Sequence, residues 1–141
     1  MEEYIAKAKH NETFHCDLCE NFDDKYFDWK ITSLFYSAIH WIKVLANKEK
    51  KDIGVTHKEV NQNIDPNNRN AELKLNQGAY HYYINLYKHS KTARYDGIDT
   101  DLETFELLKK NDWNECQQHF KGLKKYLKEK RHLDIDWICI F

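Results

Sequence analysis

Glycine and proline are scarce in this chain, and their scarcity excludes several classes of structure. The 141 residues include four glycines and one proline. Collagen-like repeats and flexible linkers need far more of both, and β-sandwiches need frequent turns. Long apolar runs are also missing, since no stretch approaches the roughly 20 apolar residues of a membrane-spanning helix. With 41% hydrophobic and 14% aromatic residues, the composition predicts one globular domain over residues 1–141.

The first residues lack the features of a secretory signal. Residues 1–7, MEEYIAK, have neither the basic start nor the apolar run of a signal peptide. We therefore expect a cytoplasmic protein without membrane attachment. In that compartment the cysteines are expected to be reduced thiols, because disulfide frameworks need oxidising surroundings. They are Cys16, Cys19, Cys116 and Cys139.

The chain carries no overall excess of positive charge. Its net charge is -1, so no general basic field favours nonspecific binding to nucleic acids. Basic residues are nevertheless concentrated near the C-terminus, where residues 121–131 hold six of them. We interpret this run as the solvated end of a helix, where cations are favourable, and contact with a polyanion is the alternative.

Hydrophobic periodicity predicts four helices and no repeats. They are expected at about residues 2–21, 29–47, 71–95 and 100–130. The second has the most regular apolar stripe, formed by Ile31, Leu34, Phe35, Ala38, Ile42 and Leu45. Four helices joined mostly by short connections predict an all-α, up-and-down four-helix bundle.

Turn and cap signals separate these helices. The polar residues 48–70, which include the lone Pro66, are predicted to form a long loop. Gly97 is expected to end the third helix, and Asp99 or Thr100 is expected to cap the fourth. The tail from Leu133 onward alternates apolar and polar residues at first. We expect it to dock onto the bundle or onto a partner.

Two helices carry polar and aromatic residues on a face that the apolar stripe does not use. On the second helix this face holds Trp29, Ser33, Tyr36, His40 and Asn47. On the third helix a ridge recurs every seven residues, at Tyr80, Tyr87 and Arg94. One interpretation is that both helices are central and bury both faces. The other is a cleft or dimer face, where imidazole, guanidinium and aromatic rings suit phosphate and base contacts.

An ordered set of short motifs resembles the HEPN superfamily. It consists of Asp28-Trp29, Phe35-Tyr36-Ser37-Ala38-Ile39-His40, Thr56-His57, Tyr83-x-x-Leu86 and Ser90-x-x-Ala93-Arg94-Tyr95. The likeness covers about residues 25–96. Within the superfamily, the chain more closely resembles a group of small, uncharacterised bacterial HEPN-like proteins. It implies a bundle of four or five helices, usually dimeric, that is associated with nucleotide or RNA binding. Many relatives are ribonucleases of toxin and defence systems, and others are noncatalytic partners of nucleotidyltransferases.

The ribonuclease motif of that superfamily is absent from this chain. Ribonuclease members carry an arginine followed four to six residues later by a histidine, and neither Arg69 nor Arg94 has a histidine at that distance. A rebuilt site would need His40 or His57 as general acid or base and Arg94 as phosphate clamp. We therefore nominate His40 and Arg94 as catalytic residues. The nominated nucleotide- or RNA-binding residues are Trp29, Tyr36, His57, Tyr87 and Tyr95.

A second set of residues has the spacing of metal ligands. Cys16 and Cys19, and likewise Cys116 and His119, are three residues apart, which aims each pair to one side of its helix. Four such ligands match a tetrahedral zinc site. Cys116 also lies on the apolar stripe of the fourth helix, where a small core residue fits. We accordingly assign no metal and no cofactor.

The sequence leaves three classes of function open. The first is a nucleotide- or RNA-binding HEPN-like domain, as a toxin or defence-system component with weak or no ribonuclease activity. The second is a noncatalytic interaction module that partners a nucleotidyltransferase, and the third is a metal-stabilised structural module. A homodimer is expected through the face of Trp29, Tyr36 and His40 or through the ridge of Tyr80 and Tyr87.

Overall fold

The protein is all-α. A computed structural model describes residues 1–95, 98, 100–136 and 138. Over these residues the chain forms five helices and no strand: α1 (Glu2–Asn21), α2 (Phe27–Lys48), α3 (His57–Ile64), α4 (Gln77–Tyr95) and α5 (Leu102–Glu129). Helix α2 packs against α1, α4 and α5, and α4 packs against α5. Helix α2 is therefore the central element of the core.

Helix α2 is central because buried residues surround most of its circumference. Its predicted apolar stripe is confirmed, since Ile31, Leu34 and Phe35 are fully buried. Phe27 and Trp41, which lie outside that stripe, are buried as well. A helix that is apolar on several sides is stabilised by packing on several sides. Its bounds extend the prediction of residues 29–47 slightly at both ends.

The prediction that residues 48–70 form a long loop is wrong in the middle of that segment, where α3 lies. A capping box begins the helix: the Thr56 hydroxyl accepts a hydrogen bond from the Glu59 N–H, and the Glu59 carboxylate accepts one from the Thr56 N–H. Val60 and Ile64 anchor the helix in the core. Two apolar residues make too short a stripe to reveal a helix by periodicity. The Thr-x-x-Glu pattern was the available signal.

Helix α4 begins later than predicted. Residues 71–76 are not helical, and Leu73 and Leu75 instead donate backbone hydrogen bonds to the end of α3. The Asn76 side chain then accepts a hydrogen bond from the Ala79 N–H at 2.7 Å, as the capping residue of a helix does. Backbone hydrogen bonds to the end of α3 therefore take the place of the first helical turns that the sequence predicted for α4.

Helix α5 begins with a different cap from the predicted one. Asp101, rather than Thr100, accepts the capping hydrogen bond, from the Thr104 N–H at 2.9 Å. Gly97 and Asp99, which were assigned to the preceding turn, lie outside the described residues. The predicted apolar stripe is confirmed by the burial of Trp113, Cys116, Phe120, Leu123 and Leu127.

Helix α1 has the predicted bounds, and it brings a charged residue into the core. The buried Glu12 carboxylate accepts hydrogen bonds from the Trp41 indole and from the Lys124 ammonium group. Lys124 is also buried and donates to the Asp136 carbonyl. Burial lowers the pKa of Lys124, and the Glu12 carboxylate opposes that shift. Because Lys124 belongs to the basic run near the C-terminus, part of that run is core and not a solvated face.

The described part of the tail docks onto the helices, as one alternative predicted. Leu133 and Ile135 are 4% and 2% exposed. Residue 137 and residues 139–141, which were included in that prediction, lie outside the described ranges. Within the described ranges, no helix has the length and apolar character needed to cross a bilayer.

The described cysteines differ in oxidation state. Cys19 and Cys116 are free, whereas Cys16 is disulfide-bonded. The expectation that every cysteine is reduced is therefore wrong for Cys16. A disulfide forms where two sulfur atoms come within bonding distance in the fold, and sequence spacing does not reveal that proximity. Cys139 lies outside the described residues.

Candidate functional site

Helices α2 and α4 meet in a pocket that is open to solvent. Trp29 of α2 is 59% exposed and, together with Arg94 of α4, lines a pocket of about 260 Å³. Asp28, Thr32 and Ala93 complete the lining. The pocket therefore places a large aromatic surface beside a guanidinium group.

A cluster of rings lies further along the same two helices. The His57 ring, at the start of α3, has its centroid 5.5 Å from that of Phe35 and 5.7 Å from that of Tyr87. The Tyr36 ring lies 5.6 Å from Phe35 and 6.5 Å from His57. Phe35 is fully buried, whereas Tyr36 is 36% exposed. The buried ring therefore supports three rings that reach the surface.

The pocket and the ring cluster are the two ends of one groove. Trp29 and Tyr36 are seven residues apart on α2, and so are Tyr87 and Arg94 on α4, a rise of about 10 Å on each helix. Because Trp29 lies beside Arg94 while Tyr36 lies in the cluster of Tyr87, the two helices run antiparallel. We call the surface formed by Trp29, Tyr36, His57, Tyr87 and Arg94 the α2–α4 groove. The structure thus brings together residues that the sequence analysis nominated from two separate faces.

His57 is the titratable group of the groove. Burial lowers its pKa, and the positive charges of Arg94 and Lys43 lower it further. The imidazole is therefore mostly neutral at pH 7, the form in which one ring nitrogen can accept a proton. Its buried Nδ1 has no hydrogen-bond partner among the described residues. The neutral imidazole is a potential general base, and the guanidinium group at the other end of the groove, about 10 Å along the helices, is a phosphate-binding cation.

His40 is not brought to Arg94. It lies eleven residues after Trp29 on α2, about 16 Å further along the helix axis, whereas Arg94 shares a pocket with Trp29. Burial lowers the pKa of His40, and the charges that contribute to the shift include Lys7 and His10 of α1. His40 therefore lies towards α1. Helical spacing indicates on which side of α2 His40 lies, but not the position along α2 at which α4 crosses it.

Tyr95 and a lysine extend the groove at its α4 side. Tyr95 is 62% exposed, and the Arg94 guanidinium lies 5.9 Å from the centroid of its ring. The Lys91 ammonium lies 5.5 Å from the centroid of the Tyr87 ring. Such cation–π contacts hold positive charge next to exposed rings. The groove therefore presents two cations, each next to an aromatic ring, along α4.

Helix α4 carries two buried hydroxyls in this region. Tyr83 and Ser90 are fully buried, and neither hydroxyl has a hydrogen-bond partner within the described part of the chain. The Tyr83 ring lies 5.8 Å from Phe35, beneath the ring cluster, and burial raises its pKa. Both residues belong to the motifs that resemble HEPN proteins, which was the sequence signal that marked them.

The four residues with the spacing of metal ligands are not brought together into one site among the described residues. Cys16 is held in a disulfide bond, Cys19 contacts an imidazole of its own helix, and Cys116 is fully buried. Burial raises the pKa of the Cys116 thiol, which disfavours the thiolate that binds zinc. His119 lies in a different cluster. Within the described ranges, one group of three potential ligands has its ligand atoms within 4.8 Å of one another, and it consists of His89, Asp112 and Glu115.

Comparison with known proteins finds no relative. No protein-family model, no curated protein and no solved structure matches the chain. The chemistry of the α2–α4 groove is therefore the basis on which a function is assigned.

Proposed function

We propose that the α2–α4 groove binds single-stranded RNA or a nucleotide, and that the chain is a HEPN-like, up-and-down helical bundle of the cytoplasm. The observation that carries this proposal is the pocket shared by Trp29 and Arg94. An exposed indole is a surface on which a base stacks, and a guanidinium group is a rigid fork that matches phosphate. A nucleotide presents both partners in one ligand.

The length of the groove favours a short single strand over a duplex. The Trp29 pocket and the ring cluster lie about 10 Å apart, so Tyr36 and Tyr87 offer a second stacking position. Base–aromatic stacking contributes about 1–3 kcal/mol per base and accepts any base. The bases of a duplex are already stacked on one another, whereas those of a single strand are free to stack on side chains. The net charge of the chain is -1, so its affinity for RNA would come from stacking more than from a general basic field.

Ribonuclease activity is weak or absent in this proposal. The superfamily pairing of an arginine with a following histidine is missing. The imidazole whose pKa responds to Arg94 is His57, which comes from a different helix. We propose His57, in place of His40, as the general base of any cleavage, with Arg94 as phosphate clamp. A toxin or defence-system role is compatible with either binding or slow cleavage.

Titration of a labelled single-stranded RNA oligonucleotide, followed by fluorescence anisotropy, tests the proposal. Arg94→Gln removes the guanidinium group, and we expect its Kd to rise about 5- to 150-fold, equivalent to a loss of about 1–3 kcal/mol. Trp29→Ala removes a stacking surface and is expected to weaken binding to a similar extent. His57→Ala is expected to lose any cleavage, since a general base acts on the transition state. It should weaken binding less than Arg94→Gln does, because it removes one ring of the cluster and no phosphate-binding cation.

Arg69→Gln is the matched control for these variants. Arg69 is exposed in the segment between α3 and α4, so its replacement should leave the Kd unchanged. Thermal melting of each variant separates a loss of binding from a loss of fold. Equal affinities of Arg94→Gln and Arg69→Gln would contradict the proposal, and so would a wild type that binds neither RNA nor a nucleotide.

A noncatalytic interaction module that partners a nucleotidyltransferase-type protein is the second candidate. Apolar side chains exposed around the start of α5 favour it: Tyr95, Ile98 and Leu102 are 62%, 79% and 74% exposed. Leu102 precedes the buried Phe105 and Lys109 by three and seven residues, so it extends the core-facing stripe of α5 into solvent. Exposed apolar patches of this kind are typical of protein contacts. A folded wild type that binds no RNA and no nucleotide would make this candidate the leading one.

A further inference from the structure

A cluster of imidazoles and carboxylates lies between α4 and α5, on the side of α4 away from the groove. His89 follows Tyr87 by two residues, which is about 200° around the helix. Its Nδ1 lies 3.8 Å from Asp112 Oδ2, and its Nε2 lies 3.3 Å from Glu115 Oε2. A second imidazole, that of His119, places Nε2 3.3 Å from the other Glu115 oxygen, Oε1. The Glu115 carboxylate therefore lies between two imidazole nitrogens.

We propose that this cluster binds one divalent transition-metal ion of the zinc class, with His89, Glu115 and His119 as ligands. Nε2 of each imidazole already lies 3.3 Å from an oxygen of the Glu115 carboxylate, and zinc draws such ligand atoms to bonds of about 2.0–2.2 Å. Glu115 and His119 are four residues apart on α5, so they lie on the same side of that helix. Two imidazoles and one carboxylate form a ligand set that leaves the fourth tetrahedral position open.

Asp112 is a positioning residue in this site. Its carboxylate faces Nδ1 of His89, the ring nitrogen opposite the one that faces Glu115. A metal-bound histidine usually donates its other ring N–H to a carboxylate, which fixes the ring and the tautomer. The ammonium group of the buried Lys109 lies 3.3 Å from the same Asp112 oxygen. Lys109 therefore holds Asp112 in the orientation that presents Nε2 of His89 to the ion.

The exposure of the cluster suits uptake of an ion from solution. The side chains of His89 and His119 are 20% and 11% exposed, whereas that of Glu115 is 54% exposed. The imidazoles are thus restrained by packing, and the carboxylate is open to solvent. Imidazole ligands favour Zn²⁺ and related ions, while Mg²⁺ prefers oxygen ligands alone. The site should therefore bind Zn²⁺ and not Mg²⁺.

Isothermal titration of the untagged chain, freed of metal by a chelator, tests this proposal. We expect the wild type to bind one Zn²⁺ per chain and no Mg²⁺. Glu115→Gln should bind Zn²⁺ at least about tenfold more weakly, since even the loss of an outer-shell partner costs that much. Zn²⁺ should raise the Tm of the wild type more than that of Glu115→Gln, because at one Zn²⁺ concentration the tighter site stabilises the folded state more.

Two variants control for the loss of charge and of imidazole elsewhere. Glu103→Gln, on an exposed position of α5, and His10→Asn, on an exposed position of α1, should bind Zn²⁺ as the wild type does. Arg94→Gln should also retain the site, which separates it from the groove. His89→Asn provides a second ligand variant should Glu115→Gln fail to fold. No Zn²⁺ uptake by the wild type, or equal uptake by the ligand variants and the controls, would overturn the proposal.

Discussion

His15 of α1 is fully buried and hydrogen-bonded to Ser33 of α2. The Ser33 hydroxyl donates to the Lys30 carbonyl at 3.1 Å, so the His15 Nδ1–H must be the donor in the 2.7 Å contact with Ser33. Nε2 is then the acceptor that faces the Cys19 thiol at 3.5 Å. Burial raises the pKa of Cys19 to about 11, which preserves the thiol proton that this contact uses. His15 and Cys19 therefore serve packing and not metal binding.

The pKa of His15 makes stability depend on pH. Burial, followed by the charge of Lys30, lowers it from 6.5 to about 3. Below pH 6.5 the unfolded chain binds a proton that the folded chain does not bind. The contribution of His15 to stability is thus complete above that pH and is lost as the pH falls through the folded pKa. We expect a loss of up to about 1.4 kcal/mol per pH unit in this window.

Urea unfolding at about pH 7.5 and about pH 5 measures this contribution. We expect His15→Gln to be less stable than the wild type at the higher pH, because a packed hydrogen-bonded ring is lost. It should lose less stability than the wild type between the two pH values, since the titrating group is gone. His10→Gln, at an exposed position, should keep the wild-type difference. An unchanged difference in His15→Gln would rule out this linkage.

Among the elements, a helix was predictable where its apolar stripe is long. Helix α1 has the predicted bounds, and α2 differs from its prediction by two residues at one end and one at the other. Helix α3 was missed because Val60 and Ile64 are its only buried residues. Its capping box was readable from the sequence, but a polar segment with a proline gave the stronger signal for a loop.

The residues that line the groove were predictable only in part, again because of what periodicity does not reveal. Periodicity reveals which side of a helix a residue occupies, but not where along its axis a second helix crosses it. Trp29 and Arg94 were therefore placed on faces that could meet, while His40 was nominated as the catalytic imidazole and His57 only as a binding residue. The crossing of α2 and α4 favours His57, which lies on the helix that the sequence did not reveal.

The capping box of α3 positions His57, the first residue of that helix. Thr56→Ala removes the side chain that accepts the Glu59 hydrogen bond, and we expect a loss of about 0.5–2 kcal/mol in unfolding free energy. RNA affinity should also fall, because the start of α3 then frays and the ring cluster loosens. Urea unfolding and the anisotropy titration measure the two effects.

Thr13→Ala is the control for that substitution. Thr13 is exposed within α1, where alanine is the better helix former, so stability should not fall and RNA binding should not change. Identical behaviour of Thr56→Ala and Thr13→Ala in both measurements would show that the capping box does not support the groove.

For the molecule as a whole, polar contacts connect segments that are distant in sequence. Glu12, Trp41 and Lys124 join α1, α2 and α5 in the core. At the surface the Arg131 guanidinium pairs with the Glu49 carboxylate at 2.7 Å, which ties the end of α5 to the end of α2. None of these contacts involves α4, the helix whose two sides carry the groove and the His89 cluster.

The exposed rings of the groove predict a homodimer. Trp29 and Tyr36 keep 59% and 36% of their surface exposed, and covering apolar surface contributes roughly 25 cal/mol per Å². A partner copy is expected to cover part of this face or of the ridge formed by Tyr80 and Tyr87. Because RNA would stack on the same rings, the dimer and bound RNA exclude each other where their contacts overlap. Sedimentation equilibrium at about tens of micromolar should report twice the chain mass of 17.1 kDa. A single-chain mass across that range would exclude the dimer.

Ultraviolet crosslinking of single-stranded RNA, with the attached peptides identified by mass spectrometry, is the measurement that tests the central claim most directly. Stacked aromatic side chains lie against bases, so the account predicts crosslinks at Trp29 and at the Tyr36 and Tyr87 rings. It also predicts their loss in Arg94→Gln and their persistence in Arg69→Gln. Crosslinks confined to the basic run at residues 121–131, or none at all, would contradict the assignment of RNA binding to the α2–α4 groove.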